Sequence, residues 1–125
     1  MKHIISQRIP FRGGPYSHAT QCGDMLFLSG QRPVDAHTGV LVSDVFAEQA
    51  HQVFQNIKEV LDECDSSLDH VAKVNIYLAD IAMFAEMNEI YMEYFNDPYP
   101  ARTTIACSLR GVLVEVDVVA TTRNS

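Results

Sequence analysis

Near the C-terminal end of this chain, a guanidinium, a hydroxyl and two carboxylates recur at spacings that could handle a small anion: Arg102, Thr104, Glu115 and Asp117. They lie in residues 99–119, which read as two β-branched arms around Ser108-Leu109-Arg110-Gly111, with Gly111 supplying the turn. Side chains alternate faces along a strand. Read as an antiparallel hairpin with an even-length loop, the stretch puts Thr103, Ile105 and Cys107 with Val112, Val114, Val116 and Val118. Arg102, Thr104, Glu115 and Asp117 then share the other face, with Arg102 and Glu115 roughly 7 Å apart. A guanidinium can grip a carboxylate through two parallel hydrogen bonds, and a carboxylate can orient and deprotonate a water. Plainer readings stand beside these. Arg102 could pair with Asp117 at the surface, where ion pairs contribute little, and Cys107 could be a small buried apolar group. Glu115 interrupts an apolar run, so it needs a partner in either case.

The rest of the chain must position these groups. A weak first edge strand falls within residues 1–9. Gly13-Gly14-Pro15 opens a tight turn that carries Tyr16. Strands at residues 18–22 and 25–29 flank Gly23-Asp24, a strong two-residue hairpin signal, and Ser29-Gly30-Gln31 ends the second. Ser43 or Asp44 can cap a helix whose apolar stripe runs Phe46, Ala50, Val53, Phe54, Ile57, Val60, Leu61 and Cys64. Residues 70–78 read as a strand with Ala72, Val74, Ile76 and Leu78 on one face and Val71, Lys73, Asn75 and Tyr77 on the other. Asp80 caps a second helix, with a stripe at Ile81, Phe84, Ala85, Asn88, Tyr91, Met92 and Phe95. The order β-β-β-α-β-α-β-β predicts an α+β layer protein, two helices covering one face of a mixed sheet. The other face is half apolar, which self-association would cover. Asn88 on a buried stripe is a core polar link or a ligand contact; Tyr16 is loop packing or part of a site.

Length and composition bound the function. The 125 residues fit a single domain, 1–125, with a core that needs no staple. The three cysteines are isolated, in no metal-like spacing, and read as reduced thiols of a cytoplasmic protein. No stretch approaches a membrane span. A net charge of −7 with scattered Lys and Arg argues against a nucleic-acid partner, which needs a basic patch. No glycine-rich phosphate loop is present, so no nucleotide cofactor is expected, and no histidine pattern suggests a metal or a catalytic triad.

Taken together, Gly14-Pro15-Tyr16-Ser17-His18-Ala19, Ser29-Gly30-Gln31, Asn56-Ile57, Val74-Asn75-Ile76-Tyr77-Leu78-Ala79-Asp80, Asn88-Glu89-Ile90-Tyr91, Pro100-Ala101-Arg102 and Val114-Glu115-Val116 resemble the RidA/YjgF family in order and register over nearly the whole chain. Its members are known as enamine/imine deaminases or L-PSP endoribonucleases. The resemblance implies a chorismate-mutase-like fold, a homotrimer, and three sites in the clefts between subunits. It implies hydrolysis of 2-enamine/2-imine carboxylates, such as 2-aminoacrylate, to a 2-keto acid and ammonia, without cofactor or metal. Carried over by motif, Arg102 binds the substrate carboxylate and Glu115 positions the water. Tyr16, Gly30, Asn88 and Thr104 complete the pocket. The family often has cysteine where Thr104 stands, and its loop before the last strand is longer by about two residues. The other readings are a non-catalytic sensor of 2-keto acids, a ribonuclease or translation inhibitor, and a chaperone-like protector.

Overall fold

The computed structural model describes residues 1–123. In chain order the elements are β1 (Lys2–Ile4), β2 (Ala19–Cys22), β3 (Met25–Leu28), α1 (Phe46–Glu63), β4 (Val71–Leu78), α2 (Phe84–Tyr91), β5 (Ala101–Ala106) and β6 (Val114–Thr121). Short 3-10 turns at Leu68–His70 and Ile81–Met83 lead into β4 and α2. This is the expected α+β order. All six strands join one mixed sheet in the order β1-β2-β3-β6-β4-β5. The helices cover one face, where Val53, Phe54, Ile57 and Leu61 of α1 and Met87 of α2 pack against Leu26, Val74, Ile76, Val114, Val116 and Val118, all essentially inaccessible. Residues 23–24 make the predicted tight turn between β2 and β3, with Gly23 at φ +60°.

The register corrects the hairpin expectation. β5 and β6 are not neighbours: β4 lies between them, parallel to β5 and antiparallel to β6. Two parallel strands need a crossover, and α2 supplies it between β4 and β5. The loop after β5 therefore spans the end of β4 instead of folding back on its own strand, with Cys107 N–H on Leu78 O and Ala79 N–H on Leu113 O. Gly111 still turns the chain there, at φ +71°.

Three smaller readings change as well. A bulge between Val71 and Lys73 makes Ala72 the extra residue, so Val71 turns into the core and Ala72 out of it. The residue entering α1 is Val45, whose N–H is held by the Ser43 hydroxyl at 2.9 Å; neither Ser43 nor Asp44 caps the first helical turn. In α2 the buried stripe is Met87, Ile90 and Tyr91, while Ile81, Phe84 and Met92 are exposed. The first turn is 3-10 with Asp80 Oδ1 accepting from Ala82 N–H, so the α-helical phase starts only at Phe84.

Candidate functional site

Arg102 stands opposite Val74 in the parallel β4–β5 register, which puts it on the helix-covered face. There it meets α2. Its Nη2 donates to Asn88 Oδ1 at 2.6 Å, and its guanidinium carbon lies 4.8 Å from the Tyr91 ring centroid and 5.5 Å from that of Phe84. Such stacking suits a planar, weakly hydrated cation. Among the described residues no carboxylate approaches Arg102 within ion-pairing distance. The expected surface pair of Arg102 with Asp117 does not form. Asp117 faces the other way and accepts from Asn75 Nδ2 at 2.9 Å. Asn88, Tyr91, Met92, Tyr99, Pro100 and Arg102 line a cleft of about 410 Å³, large enough for a small molecule.

Two hydroxyls near this cleft lack partners. Thr104 sits two residues beyond Arg102 on the same face, opposite Ile76, and its Oγ1 is buried without a hydrogen bond among the described residues. The Tyr91 hydroxyl is likewise buried and unpartnered. Burial pushes the Tyr91 phenol up to about 12 despite the nearby Arg102 charge, so it keeps its proton at neutral pH. An unsatisfied buried hydroxyl costs about 1–3 kcal/mol. Tyr91→Phe should therefore leave the unliganded protein as stable as the parent or more stable by about 1 kcal/mol, a difference that urea unfolding would read. A loss of more than that would mean the hydroxyl has a partner in solution.

Glu115 belongs to a second cluster. In the β4–β6 register it stands opposite Tyr77, on the face away from the helices. Arg102 and Glu115 thus lie on opposite faces of the sheet, separated by β4, two strand spacings or roughly 10 Å. The expectation that they share a face within one chain is overturned, and so is the placing of Cys107. That thiol is half-buried on the Glu115 face, following Ile105, and is not among the valines. Gly30 lies beside Glu115: a Cβ there would sit 3.6 Å from the carboxyl carbon, in ordinary van der Waals contact with it. Tyr16 closes the Gly-Pro turn by accepting from Gly13 N–H at 3.0 Å, and it lines one small cleft with Gly13, Gly30 and Arg32.

Burial raises the Glu115 carboxyl above its ordinary range; the charges of Arg32 and Arg110 pull it partly back, and Asp117 adds to the rise. A half-desolvated carboxyl whose pKa is raised is a candidate general base. The structure therefore divides the six expected residues into two half-sites. Arg102 meets Asn88 of α2, with Thr104 further along the same face of β5; Gly30 adjoins Glu115, and Tyr16 shares with Gly30 a small cleft that Glu115 does not line. Phe84 and Tyr91, whose rings flank the guanidinium, and Tyr99, which lines the cleft, were not expected there. Nor were Arg32 and Arg110 beside Glu115. Tyr91 had a signal, since it falls three residues after Asn88 on the same helix turn.

A family model described as Endoribonuclease L-PSP matches residues 7–122. Protein HMF1 of Saccharomyces cerevisiae is 45% identical over 123 residues, covering 97% of this chain and 95% of that protein. The crystal structure of RidA from the Antarctic bacterium Psychrobacter sp. has a TM-score of 0.89 at 34% identity, covering 97% of this chain and 99% of that one. Escherichia coli TdcF, solved with bound serine, has a TM-score of 0.87 at 31% identity over 97% of this chain and 98% of that one. With the fold, the motif residues and these matches in agreement, the chain belongs to the RidA/YjgF/L-PSP family.

Proposed function

We propose that this protein is a hydrolytic deaminase of small 2-enamine/2-imine carboxylates, acting as a homotrimer in which Arg102 of one copy faces Glu115 of the next. The observation that carries this reading is the state of Arg102: a half-buried guanidinium, clamped by Asn88 and two aromatic rings, with no carboxylate of its own among the described residues. Such a group awaits an anion. A single chain holds Glu115 on the opposite face, so the base must come from another copy. The open face, where Phe27 and Ile105 are each 45% exposed, is the surface on which copies would meet. Serine bound to the related TdcF is itself a small amino acid, which supports a carboxylate ligand of that size.

The mechanism needs only this chain's groups. Arg102 holds the substrate carboxylate, fixing the imine carbon beside Glu115. Glu115 takes a proton from water as its oxygen bonds to that carbon, then returns the proton to nitrogen. Glu115 then takes the hydroxyl proton of the resulting carbinolamine and passes it to nitrogen as the C–N bond breaks, leaving a 2-keto acid and ammonia. No redox step or external cofactor enters. No helix among the described residues is long and apolar enough to cross a membrane. Three free thiols are compatible with a reducing compartment such as the cytoplasm. The test is ammonia release from 2-aminoacrylate generated in place by a pyridoxal-phosphate dehydratase. Acceleration over the spontaneous rate supports the reading. Binding of pyruvate without acceleration would make the protein a sensor. The family model's description favours one second reading, RNA cleavage, which would show as hydrolysis with steep salt dependence.

A further inference from the structure

The Glu115 half-site holds two arginines that imine hydrolysis by Arg102 and Glu115 does not use. Gln31 and Val116 form an antiparallel bridge with N–H···O contacts of 2.8 and 3.2 Å in the two directions. One residue further along that register, Arg32 comes beside Glu115. It makes no ion pair with Glu115. Instead its Nη2 donates to the backbone carbonyl of Arg110 at 2.5 Å, which ties the guanidinium to the short loop of residues 108–111. One carbonyl engages one of five guanidinium N–H groups. Arg110 extends from the same loop, exposed, with no hydrogen bond or ion pair of its own side chain among the described residues. Among the described residues Arg8 and Arg123 pair with carboxylates, whereas Arg32 and Arg110 do not, and these two share one loop beside Glu115.

We infer that Arg32 and Arg110 form a second anion subsite beside Glu115, so that the preferred substrates are 2-imino dicarboxylates. This rests on the deaminase reading. Arg102 of one copy takes the carboxylate next to the imine carbon, and Arg32 with Arg110 of the other takes the distal carboxylate. Water and Glu115 then act between the two anchors. The bond changes are those of the monocarboxylic reaction: water oxygen bonds to carbon, C–N breaks, ammonia leaves, and the product is a 2-keto dicarboxylate. A carboxylate held at each end fixes the imine carbon better than one anchor does, which should appear in kcat/KM. The loop Ser108-Leu109-Arg110-Gly111 thus carries one of the two cations and, through the Arg110 carbonyl, holds the other.

The experiment compares 2-iminosuccinate with 2-iminopropanoate, each generated in place by an amino-acid oxidase, using ammonia-independent capture of residual imine by semicarbazide. Parent protein should show a higher kcat/KM on the dicarboxylic imine. In Arg32→Met and in Arg110→Met, the ratio of the two kcat/KM values should fall about tenfold or more, whatever the absolute rates do. Arg32→Lys should retain part of the preference. A ratio unchanged while both rates fall together would overturn the subsite and leave the arginines as partners that position Glu115. No preference in the parent would overturn it too. If neither imine is consumed faster than spontaneously, the deaminase reading itself has failed, which is a separate result.

Discussion

Replacing Glu115 by glutamine should lower imine hydrolysis by about a hundredfold or more, the usual worth of a positioned general base. The amide keeps the shape beside Gly30 and one accepting oxygen, so pyruvate or 2-oxobutanoate should still bind. Stability should move the other way. Burial holds the Glu115 carboxyl above its ordinary range even with Arg32 and Arg110 close by. A carboxyl with a higher pKa folded than unfolded binds its proton more tightly in the native state. Its contribution is fully present below the unfolded pKa and is lost as pH rises through the raised folded value. At neutral pH the ionised group is therefore a burden that glutamine does not carry. Glu115→Gln should resist urea slightly better than the parent at pH 7, with the difference vanishing below about pH 4. The acid limb of the parent's kcat/KM should lie above the ordinary glutamate range. Near-parent turnover in Glu115→Gln would remove the base assignment.

Arg102→Ala should lose both ligand affinity and turnover. Among the described residues it deletes the only positively charged group lining the α2 cleft, strips the cation from the Tyr91 and Phe84 rings, and leaves Asn88 Oδ1 without its donor. Hydrogen bonds to charged groups contribute about 1.5–3 kcal/mol, so keto-acid affinity should fall about 10- to 150-fold by calorimetry. Arg102→Lys should recover little, because an ammonium reproduces neither the planar two-bond grip nor the stacking. Normal keto-acid binding by Arg102→Ala would place the anion site elsewhere.

Much of the fold was legible from residue types. The helix stripe of α1, the Gly23-Asp24 turn and the alternating strands come from periods of 3.6 and 2, and the structure keeps them. The placing of Arg102 was not legible from local pattern. Residues 99–119 look like a hairpin because a glycine turn separates two β-branched arms, and nothing local says that β4 lies between them. The signal was longer in range: a strand, a helix and a strand from Val71 to Ala106 are a crossover unit, which demands a parallel β4–β5 pair. That rule moves β5 to the edge of the sheet and turns Arg102 toward α2. The stripe of α2 misled for a local reason, since the 3-10 turn at Ile81–Met83 shifts the phase of the helix that begins at Phe84. Arg32 carried no pattern at all; only the Gln31–Val116 bridge brings it beside Glu115.

The claim that the site spans two copies has a direct test. Arg102→Ala and Glu115→Gln, each inactive alone, are co-expressed so that mixed trimers assemble, and ammonia release is measured on the mixture. If Arg102 of one copy works with Glu115 of its neighbour, random assembly makes about one site in four intact, and activity should return to about a quarter of the parent's. If both groups served one substrate within a single chain, no mixed trimer would hold an intact site. Activity no greater than the sum of the two variants would then contradict the account.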